Sequence, residues 1–322
     1  MERAGGVVDG VEIDEFPWYL VLPLLASVLF VCGLLFVKAA GSRGVRAWTV
    51  TFWANQWSAL LFSSLWLLGG TIPDWSLWWQ PVGIAVLFLL GQALTFATIE
   101  HGDVSVATPI LGSKVILVAC LLALLVGQPL RSEEWWAVGL ATLGVGLVQW
   151  VPRRRGDSVS EKADQNLRPT HRPVITALLA LLASLAFAAF DVAVQSWSPN
   201  WGPGRIIPLS FWIVALFSWV IWPAVQSGRG WPQIVKVQVM AGTWLIALQA
   251  LCIVYTLSAF GDAARVNVVY AVRGMWGVLL AWWVARMWGG SEAEWGRSVM
   301  LVRLAGAGLL SVAVALVILA AA

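Results

Sequence analysis

"GDVSVATPILGSK", Gly102 to Lys114, and "GDAARVNVVYAVR", Gly261 to Arg273, are two stretches of one 322-residue chain. Each opens on Gly-Asp and reaches a cation 12 residues after the glycine. Each cation then runs into apolar sequence: "VILVACLLALLV" follows Lys114 and "GMWGVLLAWWVA" follows Arg273. A charge inside an apolar run is costly unless protein or water surrounds it. Its repetition at one spacing is the feature around which the rest of the chain is read.

The chain is 60% hydrophobic and 11% charged, where a soluble domain has about 25% charged residues. One water-soluble core cannot hide that much apolar surface, so part of the solvent is lipid. The 23 tryptophans fit membrane interfaces, where the ring is buried and its N–H stays wet. The reading is a multi-pass integral protein of the cell membrane. A formal net charge of only +3 offers no basic face for nucleic acid. Cys32, Cys120 and Cys252 lie in apolar runs and read as core residues, and His101 and His171 stand far apart. No metal spacing, nucleophile–base pair or phosphate loop appears, so no enzyme and no cofactor are expected. Residues 1–16 are polar and acidic, unlike the basic start of a signal peptide.

A span needs about 20 apolar residues. Apolar runs and breakers place ten, at roughly 17–38, 47–69, 79–99, 104–126, 135–151, 174–197, 206–226, 239–260, 263–286 and 300–321. The one long polar connection, 152–173, divides a first five-helix unit (17–151) from a second (174–322). Short words recur between the units in the same order. Leu25–Ser27 with Phe30 recurs as Leu182–Ser184 with Phe187, and Gln92–Leu94 as Gln249–Leu251, both 157 residues on. Phe52-Trp53 recurs as Phe211-Trp212, the Gly-Asp pair as itself, Ser132-Glu133 as Ser291-Glu292, and Trp136 as Trp295, all 159 residues on. Collinear matches at nearly one offset indicate a duplication. Five helices is an odd number, so the second copy starts from the opposite side of the membrane. The expected fold is an all-α integral membrane protein with ten transmembrane helices in two five-helix inverted repeats, a transporter architecture with a midplane site.

The segment "GDVSVATPILGSKVILVACLLALLVGQPLRSEEWWAVGLATLGVGLV", from Gly102, resembles the fourth and fifth helices of the EamA-type drug/metabolite transporter superfamily. That resemblance implies the same ten-helix layout and a transporter of small solutes. It departs at Gln128, where the family usually has glutamate after the glycine. Within the superfamily, triose-phosphate translocators carry basic residues on the fourth and ninth helices that hold the substrate phosphate, and nucleotide-sugar transporters carry a lysine on the ninth. The resemblance thus implies a substrate-binding role for Lys114 and Arg273.

Depth along the helix leads to the same pair. Lys114 stands 11 residues past Asp103, about 16 Å at 1.5 Å per residue, near the middle of a roughly 30 Å core. Each cation there costs at least about 2.5–3.5 kcal/mol, which points to a central cavity that attracts an anion. Two cations about 8 Å apart at an effective dielectric near 20 repel by about 2 kcal/mol; an anion, or Asp191, would relieve this. Asp191 is the one acid well inside a span and reads as a proton-coupling group or as the counter-ion of a cation. Gln92, Gln249, Asn55, Tyr255 and Tyr270 are mid-span and read as substrate-binding or as interhelical glue. Pro109 would bend the fourth helix. Glu133 and Glu134 read as solvated loop residues at a helix start.

The function expected is a secondary carrier of a small organic anion, coupled to a proton or counter-substrate. Alternatives are an exporter of cationic or amphipathic compounds using Asp191, and a lipid-linked sugar flippase. Monomer and homodimer both stay open. Arg3, Arg131, Arg205 and Arg265 fall on one side; Lys38, Arg43, Arg46, Arg229, Lys236, Arg286, Arg297, Arg303 and the linker cations fall on the other. The positive-inside rule puts the linker in the cytoplasm, whereas members of that superfamily usually have cytoplasmic termini.

Overall fold

The computed structural model describes residues 17–101, 109–149, 173–279 and 297–321. Among them all regular structure is helical. The α-helices in chain order are α1 (Val21–Gly41), α2 (Ala47–Phe62), α3 (Trp79–His101), α4 (Lys114–Leu121) and α5 (Ser132–Val148). After the linker come α6 (Pro173–Trp201), α7 (Pro203–Phe217), α8 (Gln233–Phe260), α9 (Ala263–Tyr270) and α10 (Arg297–Ala321).

Seven helical stretches among the described residues are long and apolar enough to cross a bilayer: Trp18–Gly41, Trp75–Thr98, Pro109–Val126, Val174–Trp201, Pro203–Ala224, Gln233–Phe260 and Leu301–Ala320. They coincide with the first, third, fourth, sixth, seventh, eighth and tenth expected spans. α2 and α5 are shorter, at 16 and 17 residues, and the ninth expected span runs beyond the described residues. The helices expose their apolar side chains outward, as a lipid solvent allows: Leu124, Leu143, Val220 and Leu319 are all exposed.

Breakers end the helices where the backbone demands. Gly127, Gly202 and Gly261 take positive φ, which only glycine adopts without strain. They follow the helical stretches ending at Val126, Trp201 and Phe260. Pro203 then opens α7 in the first turn, where its missing N–H costs nothing. α2 and α7 both finish in 3₁₀ turns, Ser63–Leu68 and Ser218–Ala224.

The packing is reciprocal. α1 packs on α8 while α3 packs on α6, and α2 packs on α8 while α3 packs on α7. α4 lies against α6 and α9 against α1. α2–α7, α4–α9 and α5–α10 are also in contact. The α5–α10 contact is backbone on backbone: a Cβ added to Gly306 would come 2.8 Å from the Gly144 carbonyl. Gaps that small are how helices associate in lipid, where dispersion and not the hydrophobic effect holds them.

Candidate functional site

The two cations occupy matching positions in the backbone. The fourth helical stretch, described from Pro109 onward, tightens at residues 112–113 and resumes as α helix at Lys114. In the tightened turn the hydrogen bonds shift to three residues back, Gly112 N–H to Pro109 O at 3.1 Å and Ser113 N–H to Ile110 O at 2.9 Å. α9 ends at Tyr270, tightens at 271–272, and the helix resumes at Arg273. There Val272 donates to Val269 O at 3.2 Å and Gly274 to Ala271 O at 3.1 Å. A 3₁₀ step inside a helix marks strain or a hinge, and here the step immediately precedes each cation. Gly112 is required at its place, because a Cβ there would lie 2.4 Å from Val145 Cγ1 on α5.

Lys114 and Arg273 line one cavity, together with Asn267, Tyr270, Gln149 and Gly112 among others. Its volume is ≈ 20 Å³, room for about one water. Lys114 Nζ lies 2.7 Å from Asp191 Oδ2, and that carboxylate is 1% exposed. The same oxygen accepts from Asn267 Nδ2 at 2.6 Å. Asp191 is therefore the counter-ion of Lys114, one of the two roles its sequence position offered. The Arg273 guanidinium stands over the rings of Tyr270 at 4.3 Å and Phe30 at 5.1 Å, two cation–π contacts. Among the described residues no carboxylate pairs with it.

The structure brings Lys114, Arg273 and Tyr270 together at the cavity. Gln249 stands behind them, accepting from the Tyr270 hydroxyl at 2.6 Å. Asn55 and Gln92 instead exchange two hydrogen bonds with each other, at 3.1 and 3.0 Å, and Asn55 also donates to Ser218 Oγ at 2.8 Å. They tie α2, α3 and the turn after α7, away from the cavity lining. Tyr255 packs in the core beside Phe260 at 6.4 Å. One participant escaped the sequence reading: Gln149 gave no signal beyond being the last polar residue of its span.

At the end of the bundle where α1 begins, a polar chain joins the two halves. Tyr19 donates to Asp262 Oδ2 at 2.5 Å, and Asp262 caps α9 through the Arg265 amide at 3.4 Å. Arg265 Nε donates to Glu134 Oε1 at 2.9 Å, and its guanidinium also reaches the Ala320 carbonyl at 3.3 Å. Gln195 bridges Gln128, at 2.8 Å, and the Ala263 amide, at 2.8 Å. Burial pushes the Asp262 carboxyl up, outweighing the Tyr19 hydroxyl and the Arg265 cation, which pull it down. Glu134 corrects the sequence expectation: it is buried in the first turn of α5 and not solvated in a loop. Its side chain closes a capping box on the Arg131 amide at 2.9 Å while pairing with Arg265. Asp103 lies outside the described residues, so only one of the two Gly-Asp turns can be compared. Among the described residues no group of His, Cys, Asp and Glu is arranged to hold a metal ion.

An all-helical bundle with lipid-exposed apolar faces and charged side chains turned inward defines a multi-pass integral membrane protein. Residues 17–150 match the family model described as EamA-like transporter family, a family of transporters and not of enzymes. No curated protein matches the chain. Among solved structures, 29 chains match. One, titled "Crystal structure of protein", aligns over 93% of this chain and 97% of its own with a TM-score of 0.66 at 16% identity. At that identity the likeness speaks for the fold alone.

Proposed function

We propose that the chain is a ten-helix secondary carrier, built as two inverted five-helix repeats, that moves a small organic anion by alternating access. The observation that carries this reading is the placement of Lys114 and Arg273. Separated by 159 residues, each is the first α-helical residue after a tightened turn, and both line one cavity. Interrupted helices at a midplane site are how inverted-repeat carriers bind charged substrates. The reciprocal packing supports the repeat: exchanging the first half's helices for the second's turns α1–α8 into α6–α3, and α2–α8 into α7–α3. The matching 3₁₀ ends of α2 and α7 support it as well.

Asp191 neutralises Lys114 across the 2.7 Å ion pair. An entering anion competes with Asp191 for Lys114 and adds charge compensation to Arg273. Protonation of Asp191 eases that exchange, which couples anion binding to a proton. The chain Tyr19–Asp262–Arg265–Glu134 seals one end of the path and must part when that end opens. The cation-exporter alternative is disfavoured, because Asp191 Oδ2 already accepts from Lys114 and Asn267.

Proteoliposomes carrying the purified chain test the proposal with a panel of organic anions and cations. Uptake of an anion accelerated by an inward proton gradient is expected. Transport confined to cations would overturn the anion reading.

A further inference from the structure

The wall of the shared cavity contains one buried polar group that no described residue satisfies. Gln149 lines the cavity, and its Oε1 is buried without a hydrogen-bond partner. A buried unpaired acceptor is destabilising, so an arrangement that keeps one has another use for it. The other polar groups of the cavity are committed: Lys114 and Asn267 to Asp191, and Tyr270 to Gln249. Arg273 supplies positive charge and donors only. Gln149 is thus the cavity-lining amide whose buried acceptor is left without a partner among the described residues.

We propose that Gln149 is a substrate-positioning residue that accepts a hydrogen bond from a hydroxyl of the anion, and that the substrate class is therefore small hydroxylated carboxylates. The inference rests on the anion reading of Lys114 and Arg273. The cations take the carboxylate, and Gln149, on the neighbouring α5 wall, takes the hydroxyl. A site that leaves its own polar group unpaired when the hydroxyl is missing rejects the deoxy analogue. A neutral hydrogen bond of ordinary strength gives about fivefold discrimination.

The test uses the full chain, purified, with matched anion pairs as probes: glycolate against acetate, and lactate against propionate. Affinity is read from thermal stabilisation. The wild type should bind each hydroxylated member about fivefold more tightly than its deoxy partner. In Gln149→Met that ratio should fall to about one through loss of affinity for the hydroxylated member alone. The unliganded variant should unfold at or above the wild-type temperature, because it removes an unsatisfied acceptor; a purely structural glutamine would lower it. Gln149→Leu serves as a second variant with the same expectation. A ratio that survives both substitutions overturns the assignment of Gln149 while leaving the anion site intact. Equal affinity for both members of each pair in the wild type also overturns it. If the wild type binds no anion of either kind, the anion site itself is refuted and this inference falls with it.

Discussion

Replacing Asp191 with Asn tests whether the Lys114 counter-ion is exchangeable. The substitution keeps the shape of the side chain and a carbonyl oxygen for Asn267, and removes the charge that sits 2.7 Å from Lys114 Nζ. Lys114 is only 17% exposed, so its ammonium is left largely desolvated. Breaking a buried pair by removing one partner costs about 3–5 kcal/mol, and the unliganded variant should be destabilised by that order. An anion in the cavity supplies the missing charge. At a thousandfold excess over its Kd it stabilises by about 4 kcal/mol, enough to bring the variant close to the wild type. The same anion should stabilise the wild type less, because there it must first displace Asp191. Thermal unfolding of both proteins across a titration of the transported anion measures this. An Asp191→Asn protein as stable as the wild type without anion, or equal shifts of both proteins by saturating anion, would show that Asp191 is not an exchangeable counter-ion.

The same substitution should flatten the pH dependence of uptake in proteoliposomes, since Asp191 is assigned the coupling proton; an unchanged pH profile would remove it from that role. Arg265→Gln breaks both the Glu134 and the Asp262 contacts of the end seal. In a background without the three native cysteines, it should raise maleimide labelling of a cysteine placed at buried Ser198 by several-fold, and equal labelling would show that the contacts do not seal. The raised Asp262 carboxyl sets the sign of the seal's pH dependence. The sealed state holds this proton more tightly than the open, hydrated one, so sealing is favoured in acid and labelling should increase as pH rises through that raised value. Asp262→Asn, with Tyr19, Arg265 and Glu134 left in place around it, should remove the trend. Gly306→Val places a Cβ 2.8 Å from the Gly144 carbonyl and should cost about 1–3 kcal/mol or more by overpacking. Gly146→Ala, whose Cβ meets nothing within 4 Å, should leave the unfolding temperature within a degree or two.

Lys114 and Arg273 were legible in the sequence because lipid makes polarity scarce: a charge inside an apolar run stands out, and two at one offset stand out more. The side chains around them were not legible. Lys114 and Asp191 are 77 positions apart, and only the packing of α6 against α4 brings them together. Gln92 and Gln249 looked like equivalent twins, yet Gln92 pairs with Asn55 while Gln249 supports Tyr270, because each sits against a different neighbour. Glu134 read as solvated because it follows "QPLRS" in a polar turn. Its burial depends on Arg265, which arrives from the other half of the chain. The tightened turns before each cation had only Pro109 as a hint in one copy and no proline in the other.

Whether Lys114 and Arg273 together form one anion site is read from the affinity of the transported anion in three proteins: the wild type, Lys114→Gln and Arg273→Gln. Either substitution should weaken binding at least about tenfold, the loss of one charge-assisted contact, while both variants still fold. An unchanged Kd in Arg273→Gln would contradict the shared site, leaving Arg273 as a structural cation held by Tyr270 and Phe30.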